Sequence, residues 1–286
     1  MRAVDAHHHY WRLAEQAQSW RTAAHAAIER DYEPADLAGE LQAAGVGATV
    51  LVESVDTAAE NDRLREYAAT TPTVAGVVAW LPVRDPAAAR AELDRIADLP
   101  RLAGVRCLVG REPLDWLAEP AVRALLAEVA ARGLAWDVVA VTPEQVAAVC
   151  ALAAAVPELR IVVDHLARPP LDGGEWAPWE RGVRALAAEP GIALKVSIGV
   201  DLLTAWDAWD AAALRRPVAT AVEHLTPRRL MLASNWPVVE LRRPYGGAWA
   251  DQRAALEAAG VAGDDLAAVL GGTAEHWYRL GGASVS

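Results

Sequence analysis

The chain carries seven histidines, and three of them stand side by side in "VDAHHHYW", residues 4–11. A fourth, His165, follows Asp164 in "VVDHLARPP", and the single lysine, Lys195, lies in "LKVSIG". Neutral imidazoles can ligate a divalent ion, pass protons near neutral pH or donate a hydrogen bond to a carbonyl. Glu53 in "VLVES", Asp137 in "LAWDVVA" and Asp164 supply carboxylates, while Arg106 in "GVRCLV" and Lys195 supply cations that can bind an anion or a hydroxyl. With Asn235 in "LMLASNWPV", these groups make a set suited to polarising a carbonyl and activating water.

These residues share a place in the sequence pattern, since each lies at the end of a short, β-branched apolar run. Eight such runs begin near Ala3, Ala48, Val74, Ala103, Leu134, Arg160, Ile192 and Arg229. Between them lie stretches of helical period such as "PADLAGELQAAG" and "TPEQVAAVCALAAAVP", which open with Pro or Thr and close at Gly or Pro. The runs are continuously apolar, as in a parallel sheet covered on both faces. The one candidate phosphate loop, "GVGATV" at Gly45, precedes a strand instead of following one, which argues against an open dinucleotide-binding sheet. The pattern predicts one (β/α)8 TIM barrel over residues 1–286, with its chemistry at the C-terminal strand ends. Those ends carry His7 and His9, Glu53, Trp80, Arg106, Asp137, Asp164 with His165, Lys195 with Ser197, and Asn235. Side chains alternate along a strand, so His7 and His9 share one face and His8 takes the other. The connection from Tyr10 to Glu33 is too long for an ordinary βα loop and predicts a lid or substrate-binding insertion.

A formal charge of −11 disfavours nucleic acid and anionic membranes as partners. No stretch reaches the roughly 20 apolar residues that cross a bilayer, and no basic segment leads an N-terminal apolar run, so the expected location is the cytoplasm. Cys107 and Cys150 form no CxxC and read as packing residues. A serine hydrolase is not supported, since no Gly-x-Ser-x-Gly occurs. The expected partner is a small molecule.

"VDAHHHYW" resembles the Asp-x-His-x-His opening of the amidohydrolase superfamily, and more narrowly its lactonase branch, the fuconolactonases and pyrone-dicarboxylate lactone hydrolases. Further along, "VLVES", "GVRCLV", "VVDHLARPP", "LKVSIG", "LMLASNWPV" and "GGTAEHWYRL" resemble successive segments of that branch, in order and over nearly the whole chain. The resemblance implies hydrolysis of a small sugar-acid or dicarboxylic lactone, by water attack at the ring carbonyl. It also implies one Zn²⁺ on His7, His9 and His165, with Glu53 as a further candidate ligand, or metal-free action, since the branch holds both kinds. Arg106 and Asp137 stand where two-metal members have lysine and histidine, which argues against a second ion. Asn235 stands where the family has an aspartate, and Glu53 where the lactonases have glutamine. The expectation is therefore a pocket carboxylate moved to strand two, with Glu53 activating the water and Asn235 orienting it. Arg106, Lys195, Asp137, Trp80 and Trp236 are the expected substrate contacts, and Trp11 and Trp136 further candidates for the pocket wall. Alternatives on the same barrel are a metal-dependent decarboxylase, a ring-forming or rearranging biosynthetic enzyme, and a non-catalytic binding protein whose base was lost at Asn235.

Overall fold

A computed structural model describes residues 2–281. Eight parallel strands follow one another around a single sheet: β1 (Ala3–His8), β2 (Val46–Val52), β3 (Val74–Trp80), β4 (Leu102–Arg106), β5 (Ala135–Val138), β6 (Arg160–Val163), β7 (Ile192–Val196) and β8 (Leu230–Leu232). Backbone bonds just beyond β8 close the ring onto β1: Asn235 N–H donates to the His7 carbonyl at 2.9 Å and His9 N–H to the Trp236 carbonyl at 2.7 Å. The (β/α)8 barrel expected from the apolar runs is the fold observed.

Helices follow the strands, and their starts obey local chemistry. Proline occupies the first turn of α1 (Pro34–Ala44), α3 (Pro86–Arg95), α4 (Pro120–Ala131) and α5 (Pro143–Ala155), where a missing N–H costs nothing. Thr57 caps α2 (Ala58–Thr70) and Thr142 caps α5 through their side chains. Gly45 ends α1 at φ 70°, a left-handed turn that a Cβ would strain. The remaining crossovers carry α6 (Trp176–Ala188), the pair α7 (Val200–Ala205) and α8 (Arg215–His224), and α9 (Tyr245–Ala258).

Two apolar layers result. Outward residues such as Leu51, Val77, Val138 and Leu194 join the strand–helix core, while the barrel interior is built from small residues, Ala6, Ala48, Ala103, Ala135 and Ala193 among them, with Trp277 and Tyr278 from the chain's C-terminal part. Small interior side chains leave room for those two rings. The predicted insertion between β1 and α1 folds back as a short bridge between Trp11 and Tyr32 and a 3₁₀ turn at Ala23–Ile28. No helix among the described residues is long and apolar enough to cross a membrane.

The Asp85 carboxylate caps α3, accepting from the backbone N–H groups of Ala87 and Ala88, both at 3.1 Å. Asp85→Ala is expected to lower stability by about 1 kcal/mol in urea unfolding; an unchanged midpoint would mean that the cap contributes nothing.

Candidate active site

The site is organised around one ammonium. Lys195 Nζ, on β7, lies 2.6 Å from Asp137 Oδ2, 2.9 Å from Asp164 Oδ1 and 3.1 Å from His7 Nδ1. An ammonium has three N–H groups and no acceptor, so these contacts satisfy it fully. His7 Nδ1 also lies 3.2 Å from Asp164 Oδ1; the ammonium, which can only donate, is the closer group and takes the Nδ1 lone pair, which puts the ring proton of His7 on Nε2, 3.1 Å from His9 Nε2. His9 donates its own Nδ1–H to the Val52 carbonyl at 2.8 Å, which leaves His9 Nε2 to accept. Lys195, His7 and His9 form one directed chain of donors that ends on the Val52 carbonyl, an acceptor.

Strand β1 delivers the two rings through an irregularity. Its register with β2 shifts between Asp5 and His8, so that Ala6 stays in the barrel interior while its neighbour His7 also turns inward. His8 faces the other way and meets Thr49 Oγ1 at 2.9 Å. The division of the triplet into two site rings and one packing ring matches the alternation read from the sequence; the shift within β1 carried no sequence signal.

A second cation completes the buried network. Arg106 Nε donates to Glu53 Oε1 at 2.8 Å, Nη1 to Asp164 Oδ2 at 3.1 Å and Nη2 to the Glu53 carbonyl at 2.5 Å. From the opposite side, Tyr278 donates its hydroxyl to Asp137 Oδ2 at 2.6 Å. Two cations therefore face three buried carboxylates. Burial pushes the Asp164 carboxyl up, but the Lys195 ammonium reverses this and holds it well below the usual range. At Asp137 burial outweighs Lys195 and the value is raised. Burial pushes Glu53 up to about 8 against the opposing pull of Arg106, and its Oε2 has no protein partner. Burial also keeps the imidazoles neutral, lowering His7 and His9 well below their ordinary value and His165 to about 4.

His165 follows β6 in a turn that residues of its type rarely adopt. His165, Leu166, Ala167 and Arg168 all have positive φ, between 51° and 55°, at about 1–2 kcal/mol per non-glycine residue. Trp179 Nε1 holds the turn by donating to the Leu166 carbonyl at 2.9 Å, and His165 Nδ1 pairs with Ser197 Oγ at 2.8 Å. Nothing in "DHLAR" announces that geometry, because it contains no glycine. Asn235 is left-handed too, at φ 57°, which asparagine tolerates better than most residues. Its Nδ2 donates to the Ile198 carbonyl at 2.9 Å.

Above this network opens a cavity of about 260 Å³ whose lining includes His9, Arg106, His165 and Asn235. Glu53, Asp137 and Lys195 are fully buried and do not line it, and the Arg106 guanidinium is already paired with carboxylates. Among the proposed contacts, Trp80 borders a separate shallow cleft with Asp56 and Arg84. Trp236 is drawn into an aromatic cluster with Tyr10 and Tyr32, its Nε1 on Glu240. Trp11 and Trp136 belong to the outer core. The tryptophan on the wall is Trp20, from the insertion after β1, anchored by Nε1 to the Ser54 carbonyl at 2.9 Å. The length of that insertion was the signal that could have pointed to it.

Histidines, carboxylates and a lysine gathered from the ends of β1, β2, β5, β6 and β7 around one mouth suit a hydrolase-type barrel, and sequence comparison gives it a family. The chain belongs to the amidohydrolase family, whose profile matches residues 4–280, and its relatives put it in the lactonase-like branch. It is 33% identical over 281 residues to an L-fucono-1,5-lactonase of Burkholderia ambifaria, covering 97% of this chain and 95% of that one. An L-fucono-1,5-lactonase of Burkholderia multivorans is 30% identical, with 97% and 96% covered. A crystal structure of a Burkholderia multivorans amidohydrolase with bound zinc superposes with a TM-score of 0.84 at 27% identity, covering 98% of this chain and all of that one.

Removing Lys195 would strand Asp137 and Asp164 in the interior. Lys195→Met is expected to cost about 3–5 kcal/mol in urea unfolding, with Asp137→Asn recovering part of the loss in the double variant. Wild-type stability in Lys195→Met would show that the carboxylates do not depend on this ammonium.

Proposed function

We propose that this chain hydrolyses the ring ester of a small lactone by direct attack of water. The observation that carries the reading is the cavity floor, where His9, His165 and Asn235 meet at the mouth of a closed network of buried charge. The lactonases to which the chain is similar support it.

In this reading the lactone carbonyl lies on the floor. As water attacks the carbonyl carbon, the oxygen gains charge, and the Nε2–H of His165, whose Nδ1 is held by the Ser197 hydroxyl, donates to it without reorganising. The Asn235 amide, held by Ile198, has its Oδ1 available to orient the water. An amide cannot take a proton, so the acceptor has to be another residue. Glu53 lies behind the wall formed by its neighbour Ser54 and its partner Arg106. Its unpartnered Oε2 and raised value of about 8 suit a general base, reached by a water admitted beside Arg106. The carbon–oxygen bond of the ring then breaks, the proton passes to the leaving alkoxide, and a hydroxy acid results.

The donor set also fits one divalent ion. The facing Nε2 atoms of His7 and His9, 3.1 Å apart, have the spacing two imidazoles take on one zinc with bonds of about 2.0–2.1 Å. His7 and His165 lie in one group with Asp164, each offering a ligand-type atom within 4.8 Å of the others. His7, His9 and His165 would hold the ion, and Glu53, turned to Arg106, stays outside the set. When bound, the ion would polarise the carbonyl and acidify water.

Elemental mass spectrometry is expected to find about one divalent ion per chain, lost in His7→Ala and His165→Ala. Metal-free wild-type protein with full turnover would assign the rings to hydrogen bonding alone. Turnover is expected to rise with pH through about 8 as Glu53 loses its proton, and Glu53→Gln to abolish both rate and rise. Near-full activity in Glu53→Gln would eliminate it as the base.

A further inference from the structure

The cavity walls differ in character from its floor. Trp20, Leu108, Val139, Val141, Val200 and Val238 surround the space above His9, His165 and Asn235. They come from the segments that follow β1, β4, β5, β7 and β8, and five of the six are partly exposed, Val238 alone being buried. Concave, solvent-reached apolar surface of this kind marks the place where a ligand's apolar part sits.

The polar side chains deep in the walls are already occupied, and the remaining ones, Arg111 and Asp201, stand together on one side. Ser54 Oγ donates to Glu60 Oε1 at 3.1 Å and lies 3.4 Å from Gln16 Nε2. Asp201 Oδ2 accepts from Arg168 and, at 3.4 Å, from Arg111, which leaves Asp201 Oδ1 and most of the exposed Arg111 guanidinium as the polar groups of that side. Arg106 is held by Glu53 and Asp164. Polar atoms remain for a ligand on the floor, where a ring carbonyl and one water would use them, and at the Arg111–Asp201 pair on one side; the rest of the wall is apolar. A ring bearing several hydroxyls would lose their hydration against valine and leucine and find no partner there.

Resting on the lactonase reading, we propose that the substrate of this site is a lactone bearing an alkyl or aryl group, not a polyhydroxylated sugar lactone. The ester end meets the histidines and Asn235, and the apolar end fills the space between Trp20 and the valines.

The test compares two lactones with two matched lactams, which resist hydrolysis. Turnover by the purified full chain is measured on dihydrocoumarin and on glucono-1,5-lactone. Calorimetry measures the affinity of the benzo-fused lactam and of the gluconolactam. The expected result is about a hundredfold preference for the aryl compound in both kcat/KM and Kd, the scale on which an apolar pocket discriminates against added hydroxyls. Val139→Asn with Val141→Asn is expected to shrink that ratio at least tenfold. Preference for the aryl lactam without turnover of either lactone would support the substrate class and overturn the hydrolase reading. Equal or better use of the sugar compounds, or no binding of the aryl lactam, would overturn the proposal.

Discussion

Everything at the mouth of this barrel depends on the Lys195 ammonium. A lone cation in the middle of an alanine- and valine-lined barrel would be prohibitively costly, and so would the carboxylates Asp137 and Asp164 around it. Together they satisfy one another, and the third N–H of the ammonium is directed at His7. That contact fixes the tautomer of His7, and through it the role of His9. The chemistry on offer at the cavity floor is thus set by a group that never reaches the cavity. Arg106 plays a similar part on the other flank, holding Asp164 and turning Glu53 away from the histidines.

The fold holds these charges at short range because each comes from a different strand end. The irregular features of the backbone lie at the mouth of the barrel: the shifted register of β1, four left-handed residues at His165–Arg168 and the left-handed Asn235. Such strain persists only where the surroundings enforce it. Trp179 and Ser197 on one side of His165, and Ile198 beside Asn235, do so here.

Much of this was legible in the residues. Continuous apolar runs with polar C-terminal ends specified the barrel, and period-2 alternation separated His8 from His7 and His9. Direction along the barrel axis was not legible. Strand position alone could not tell that Arg106 and Lys195 would spend their charge on Glu53, Asp137 and Asp164, since that depends on which strands face each other across the interior. The aromatic wall was equally hidden. Trp236 and Trp20 have the same chemistry, and only tertiary packing sends one into the Tyr10–Tyr32 cluster and the other onto the cavity. The contribution of Tyr278, far along the chain from Asp137, had no local signal at all.

The directed chain from Lys195 to the Val52 carbonyl is the central claim, and imidazole tautomers report on it directly. In chelator-treated protein, ¹⁵N–¹H correlation spectra at neutral pH should show His7 protonated at Nε2 and His9 protonated at Nδ1. A His7 ring protonated at Nδ1, donating to Asp164 instead of accepting from Lys195, would contradict the account.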